Sequence, residues 1–231
     1  MDAQRVERTR RPYQEIVAYD ISSRFGLLGF ATVVTGEYVS QTMNLANSKL
    51  RLGAGPLRIV RLRRTCSEIP HTADLASDMR FASRENAILS QWEVGAGLVP
   101  GGGPMARLPR LIGRGRALEV LLGADDINGE LAELYGYVNR SLPDKELDGF
   151  VDTLATRIAS FDKQAIADTK NLVNVASLPP DSEISPEWGA FIASLGRKAA
   201  QTRIKRLMDL GFHRPGDVEN RLGHYVGQLG E

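Results

Sequence analysis

Apolar positions recur along this chain with a spacing that changes from one region to the next. Leu147, Phe150, Val151, Leu154 and Ile158 repeat at three and four and form one stripe of an amphipathic helix. Pro143-Asp144 stands just before that stripe and supplies a start signal. A second stripe runs through Ile184, Trp188, Phe191, Ile192 and Leu195, with Ser185-Pro186 as the expected N-cap and first helical residue and Gly196 as the stop. Ile204, Leu207 and Met208 continue on a further helix ended by Gly211, and Pro215-Gly216-Asp217 opens the last one. Met79-Arg80-Phe81-Ala82 suits a buried strand, and Ala87-Ile88-Leu89 a second short one.

Upstream of Leu75 the pattern weakens. Segments 13–19 and 26–34 can form strands, as can the mixed run Leu57-Arg58-Ile59-Val60-Arg61-Leu62-Arg63, but clear capping or turn chemistry is missing. Residues 65–74 show no period at all. Residues 1–74 are therefore expected to pack less well than the remainder. Leu178-Pro179-Pro180-Asp181 is the clearest linker. The organisation expected is a basic N-terminal segment (1–74), an α/β core (75–178) and a helical C-terminal region (179–231).

Composition narrows the class further. The chain has 231 residues, 42% apolar and 25% charged, which suits a globular protein able to bury a core without disulfide or metal staples. A lone cysteine, Cys66, cannot pair within the chain and fits a reducing cytoplasmic compartment. No apolar run approaches the ~20 residues of a membrane span, and Met1-Asp2-Ala3-Gln4-Arg5 leads into no secretory signal, so neither membrane nor export is expected. Charge is uneven: the first 64 residues hold 11 Lys/Arg against 5 Asp/Glu, and the rest hold 18 against 23. Such a basic start can attract phosphate-bearing partners. With only 6% aromatics and no recognition motif, a solvated basic face is the better reading, and no nucleic acid partner is expected. His71, His213 and His224 lack ligand partners at i+3 or i+4, so no metal site is expected. Cys66 reads as a buried or incidental thiol.

Two features can carry chemistry. Gly95-Ala96-Gly97-Leu98-Val99-Pro100-Gly101-Gly102-Gly103-Pro104 is neither a phosphate loop nor a dinucleotide fingerprint. It is either a tight strand-to-helix crossover or a loop that exposes backbone N–H groups at a positive helix end. Glu93 lies just upstream between Trp92 and Val94. Buried there, its carboxyl would have a raised pKa useful for proton transfer; exposed, it is an ordinary strand-end glutamate.

The run Leu75-Ala76-Ser77-Asp78-Met79-Arg80-Phe81-Ala82-Ser83-Arg84-Glu85-Asn86-Ala87 resembles part of the crotonase superfamily, the enoyl-CoA hydratases and isomerases. Gln91-Trp92-Glu93-Val94-Gly95-Ala96-Gly97-Leu98-Val99-Pro100-Gly101-Gly102-Gly103 is similar to its Gln-Pro-Glu…Gly…Pro-Gly-x-Gly-Gly motif. Arg107-Leu108-Pro109-Arg110-Leu111-Ile112-Gly113 and Ala117-Leu118-Glu119-Val120-Leu121-Leu122-Gly123 follow in the family's order. So does Leu131-Ala132-Glu133-Leu134-Tyr135-Gly136-Tyr137-Val138. The resemblance covers about residues 75–231. It implies a spiral of ββα units with a C-terminal helical region between the subunits of a homo-trimer or hexamer. It implies acyl-CoA thioesters as substrates, coenzyme A being part of the substrate, and no other cofactor. Two backbone N–H groups would stabilise an enolate. Glu93 takes the place of the family's acid/base, and Trp92, Gly97, Leu98, Pro100 and Gly101 that of its substrate-binding residues.

The chain departs from the family upstream. Glu68-Ile69-Pro70-His71-Thr72 stands where a Gly-Gly-Gly-x-Glu-type segment would give one oxyanion donor and a second glutamate. Proline has no N–H to donate, and the family's earlier Ser/Ala-Gly-x-Asp pattern is missing from residues 1–74. Two expectations follow: an enoyl-CoA hydratase/isomerase with impaired turnover, or an inactive relative that binds or assembles.

Overall fold

The computed structural model describes residues 57–63, 74–214 and 216–230, and the backbone alone of residues 19–20. Four strands form the main sheet: β1 (Tyr19–Asp20), β2 (Arg58–Leu62), β3 (Met79–Ser83) and, later in the chain, β6 (Arg140–Leu142), in the order β1-β2-β3-β6. β2 pairs parallel with β3, Ile59 opposite Met79, and β3 pairs parallel with β6, Phe81 opposite Arg140. β4 (Ile88–Ser90) and β5 (Asp126–Asn128) make a separate antiparallel pair.

The strand period of two sorts side chains onto two faces. Ile59 and Phe81 meet Leu147, Val151 and Ala155 of a long helix, α4 (Asp144–Ala159), on one face. On the other face Val60, Leu62 and Ala82 join a core with Leu89, Leu108, Val120, Ile127 and Tyr137. The helices there are α1 (Pro104–Ile112), α2 (Arg114–Gly123) and α3 (Gly129–Tyr135). After α4 come α5 (Lys163–Ser177), α6 (Asp181–Leu195), α7 (Lys198–Leu210), α8 (Asp217–Asn220) and α9 (Leu222–Gly227). The fold is α/β with a helical C-terminal region.

Two expectations need correction. Residues 57–63 do not pack loosely, since Ile59, Val60, Arg61 and Leu62 are all buried in the sheet. Arg61 made this run look mixed, but its guanidinium pairs with Asp148 and Asp152 of α4. Arg63 likewise pairs with Asp144 and Asp148. The strands expected at 13–19 and 26–34 lie outside the described residues, apart from the backbone of Tyr19, as does Cys66.

The second correction concerns α6, which starts at Asp181 and holds Pro186 inside it instead of beginning at Ser185-Pro186. Pro179-Pro180 bars an earlier start, and Asp181 and Glu183 in the first turn complement the positive helix end. Its inward residues also differ from the predicted stripe. Glu187 and Ser194 are buried, whereas Ile192 and Leu195 are exposed.

Candidate active site

Glu93 sits on a single 3₁₀ turn, Trp92–Val94, that leads from β4 into the glycine loop. Its backbone carbonyl accepts hydrogen bonds from the N–H groups of Ala96 (3.1 Å) and Leu98 (2.8 Å), which coil the chain tightly around the side chain. Glu93 is half-buried as a residue, but its Oε2 is shut off from solvent and has no hydrogen-bond partner among the described residues. Burial without a counter-charge disfavours the ionised form, and the Glu93 pKa rises from 4.5 to about 7. Of the two readings open from sequence, the buried carboxyl is the one realised.

The loop beyond is fixed by backbone geometry and by the C-terminal helices. Gly97 has φ +82°, and a Cβ there would come within 3.2 Å of the Ala200 backbone on α7. Gly103 has φ +102°, and a Cβ there would run into the Arg107 guanidinium. The left-handed backbone disfavours a side chain at either position, and one at Gly97 would also crowd the Ala200 backbone. Val99 N–H donates to Ser194 Oγ on α6 at 3.0 Å, and Phe191 closes on Gly101.

The loop then enters α1. Ala106 N–H donates to Glu187 Oε1 at 2.6 Å, and the N–H groups of Met105 and Gly103 also face this carboxylate. A carboxylate from α6 therefore covers the positive end of α1. Burial raises the Glu187 pKa, against the opposing pull of those N–H groups and of Arg107. Arg107 donates to Gly102 O at 2.9 Å.

The residues predicted to bind substrate are brought together, but most of their side chains face the interior. Trp92 packs edge-on to Phe212 at 4.9 Å, beside Leu207, Leu222 and Val226. Leu98 and Pro100 are buried, Gly97 meets α7 and Gly101 meets α6. A groove along α4 lined by Asp152, Thr153, Thr156, Arg157 and Ser160 contains none of them. Residues 68–72, expected to take the place of the family's oxyanion segment, lie outside the described residues.

Several residues around Glu93 were not foreseen. Asp74 is buried, its Oδ1 has no partner among the described residues, and burial raises its pKa to about 7 against the pull of Arg80. Gln91 Nε2 donates to Tyr137 Oη at 3.2 Å, both side chains being fully buried. Glu187 was legible in principle. Ile184, Glu187, Phe191 and Ser194 are spaced at three and four, so two polar residues lie within one helical stripe. Among the described residues no group of three or more His, Cys, Asp and Glu side chains is placed to hold a metal ion, and no helix is long and apolar enough to cross a membrane.

Known proteins resemble this chain in sequence and in fold. The sequence profile of the enoyl-CoA hydratase/isomerase family matches residues 71–184. The crotonyl-CoA hydratase of Syntrophomonas wolfei is 40% identical over 100 residues, 43% of this chain and 38% of that protein. The short-chain-enoyl-CoA hydratase of Clostridium acetobutylicum is 30% identical over 151 residues, 65% of this chain and 52% of that protein. The crystal structure of a Streptomyces avermitilis protein assigned as an enoyl-CoA hydratase superposes with a TM-score of 0.71 and 43% identity, covering 74% of this chain and 61% of that one. The chain thus spans about half or less of the length of these two curated relatives. Parallel strands backed by α4, a glycine loop turning into α1 and the family motifs in their order lead to one conclusion: over this part of its length the chain is a member of the crotonase superfamily.

Proposed function

We propose that this chain acts on acyl-CoA thioesters as an enoyl-CoA hydratase/isomerase, with Glu93 exchanging a proton with the acyl chain or with an attacking water. The observation that carries this reading is the Glu93 carboxyl itself, buried, with one oxygen unpartnered among the described residues and a pKa near 7. A group that titrates near the working pH can both take and return a proton without a large energetic mismatch. In this proposal the thioester contacts the backbone of Gly97, Leu98, Pro100 and Gly101, because the Trp92 and Leu98 side chains are committed to apolar packing. Backbone N–H groups hold the enolate oxygen, and coenzyme A enters only as part of the substrate. Assembly as a homo-trimer or hexamer is proposed through the exposed Ile192, Leu195, Met208 and Leu210, and the cytoplasm is the proposed compartment.

Turnover is proposed to be low. Pro70, in the segment that would take the place of the family's oxyanion donor, has no N–H, and losing one such donor costs ~10²–10³ in kcat. That same departure favours a second reading, a non-catalytic relative that keeps the fold and binds acyl-CoA. Assay against a panel of enoyl-CoA thioesters of increasing chain length separates the two. Hydrated or isomerised product supports the enzyme. Saturable binding without product assigns the chain to the second reading, and neither binding nor product removes both.

A further inference from the structure

Gln91 is the residue from which the Glu93 turn springs, and it occupies the N-cap position of that turn without capping it. Its side chain points instead into the core, 1% exposed, where Nε2 donates to the hydroxyl of Tyr137, also 1% exposed. Tyr137 is itself held from two sides. Arg80 Nε donates to its carbonyl at 2.9 Å, and its N–H donates to Ala132 O at 2.8 Å. Arg80 also reaches Asp74 O (3.2 Å) and Ser77 O (2.6 Å), which ties the end of the segment before β3 to the same point. Burial, and then the nearby charges of Asp74 and Glu93, push the Tyr137 pKa up, so the hydroxyl lies in the field of both carboxyls. The titratable groups bearing on this cluster among the described residues include Asp74, Asp78, Arg80, Glu93 and Tyr137 itself, and Arg203 donates to Gly95 O just beyond the turn.

A three-residue 3₁₀ turn has little internal rigidity, so the orientation of Glu93 depends on what anchors its ends. The downstream end is held by the hydrogen bonds to Glu93 O. Upstream, the β4–β5 ladder ends at Ser90, and beyond it the Gln91–Tyr137 pair holds the turn; an amide buried at this depth has no water to replace a lost partner. We infer that Tyr137 is a positioning residue for Glu93, acting through the buried hydrogen bond that its hydroxyl makes with Gln91. The inference rests on the reading of Glu93 as the proton-transfer group.

Trp92 adjoins Glu93 and reports on it. In a Trp188→Phe background, where Trp92 is the remaining tryptophan, its fluorescence should show a transition near pH 7. Glu93→Gln assigns that transition, because the amide cannot titrate. Tyr137→Phe should move the Glu93 transition down by about one pH unit or more, as the freed turn lets the carboxyl reach water. It should also lower kcat about 10-fold with KM within about 2-fold, the split expected of a misplaced group rather than a lost binding contact. If Tyr137→Phe does not fold, Gln91→Met breaks the same hydrogen bond from the other side and serves in its place. A transition and kcat unmoved by these variants overturn the positioning role alone. A transition that persists unchanged in Glu93→Gln overturns the reading of Glu93, and the inference with it.

Discussion

α4 and α6 are both helices whose apolar stripes stand out in the sequence, and they use those stripes in opposite ways. α4 turns Leu147, Val151 and Ala155 onto Ile59 and Phe81, and its acidic residues meet Arg61 and Arg63 of β2 and the turn after it. α6 turns Glu187 and Ser194 inward, one onto the N–H groups opening α1 and the other onto Val99, while Ile192 and Leu195 face outward. Apolar spacing therefore marks the fully buried face of α4 and not that of α6. On α6 the two fully buried side chains are polar because they satisfy the backbone of a glycine loop and a helix end, while Ile184 and Phe191 beside them are half-buried against the same loop.

The sharpest contrast is in stability. Leu147→Ala should cost ~2–5 kcal/mol in denaturant unfolding, since it opens a cavity in a sealed cluster. Leu195→Ala should stay within ~0.5 kcal/mol for the single chain. Equal losses would show that the two stripes are equivalent after all. Glu187→Ala should fall between them, at ~1–3 kcal/mol, because it strips the partner from buried N–H groups.

The same two helices should respond to pH with opposite signs. Although burial opposes ionisation, hydrogen bonds involving Ser83, Asn86 and Arg63 and the charge of Arg63 hold the Asp144 carboxyl at the start of α4 below the ordinary range. Its contribution is complete above pH ~4 and is lost as the pH falls further. Burial holds the Glu187 carboxyl above its ordinary range, so its contribution is complete below pH ~4 and is lost as the pH rises through the raised value. Hydrogen exchange corrected for intrinsic rates should therefore show the α1–α6 junction loosening towards alkaline pH and the β2–α4 face towards acid pH. Parallel behaviour of the two would refute the comparison.

How much of this was legible beforehand follows the same division. α4 was readable to its first residue, because the Pro143-Asp144 start and the apolar stripe are both local features, whereas which strands the stripe covers was not legible. The start of α6 was misread because Ser185-Pro186 imitates a helix start, although Pro186 lies only in the second turn of a helix that Pro179-Pro180 had already delimited. β2 read only as a possible strand, since the acids that neutralise Arg61 lie far along the chain at Asp148 and Asp152. Glu93 could be named from its motif, but its environment could not. Gln91 is adjacent, whereas Tyr137 and Asp74 reach it only through the fold.

The smallest stability effect should belong to the outward stripe. Ile192→Ser with Leu195→Ser should leave single-chain stability within ~0.5 kcal/mol, yet reduce any trimer or hexamer to monomers in sedimentation. An assembly that survives this pair uses another face.

Glu93→Gln, assayed beside the parent chain on the best enoyl-CoA substrate, bears most directly on the proposed chemistry. The amide keeps the shape of the side chain and cannot shuttle a proton. We predict that kcat falls ~10²–10⁴-fold while the acyl-CoA Kd stays within about 3-fold. An unchanged kcat in a folded Glu93→Gln protein would contradict the assignment and take this carboxyl out of the mechanism.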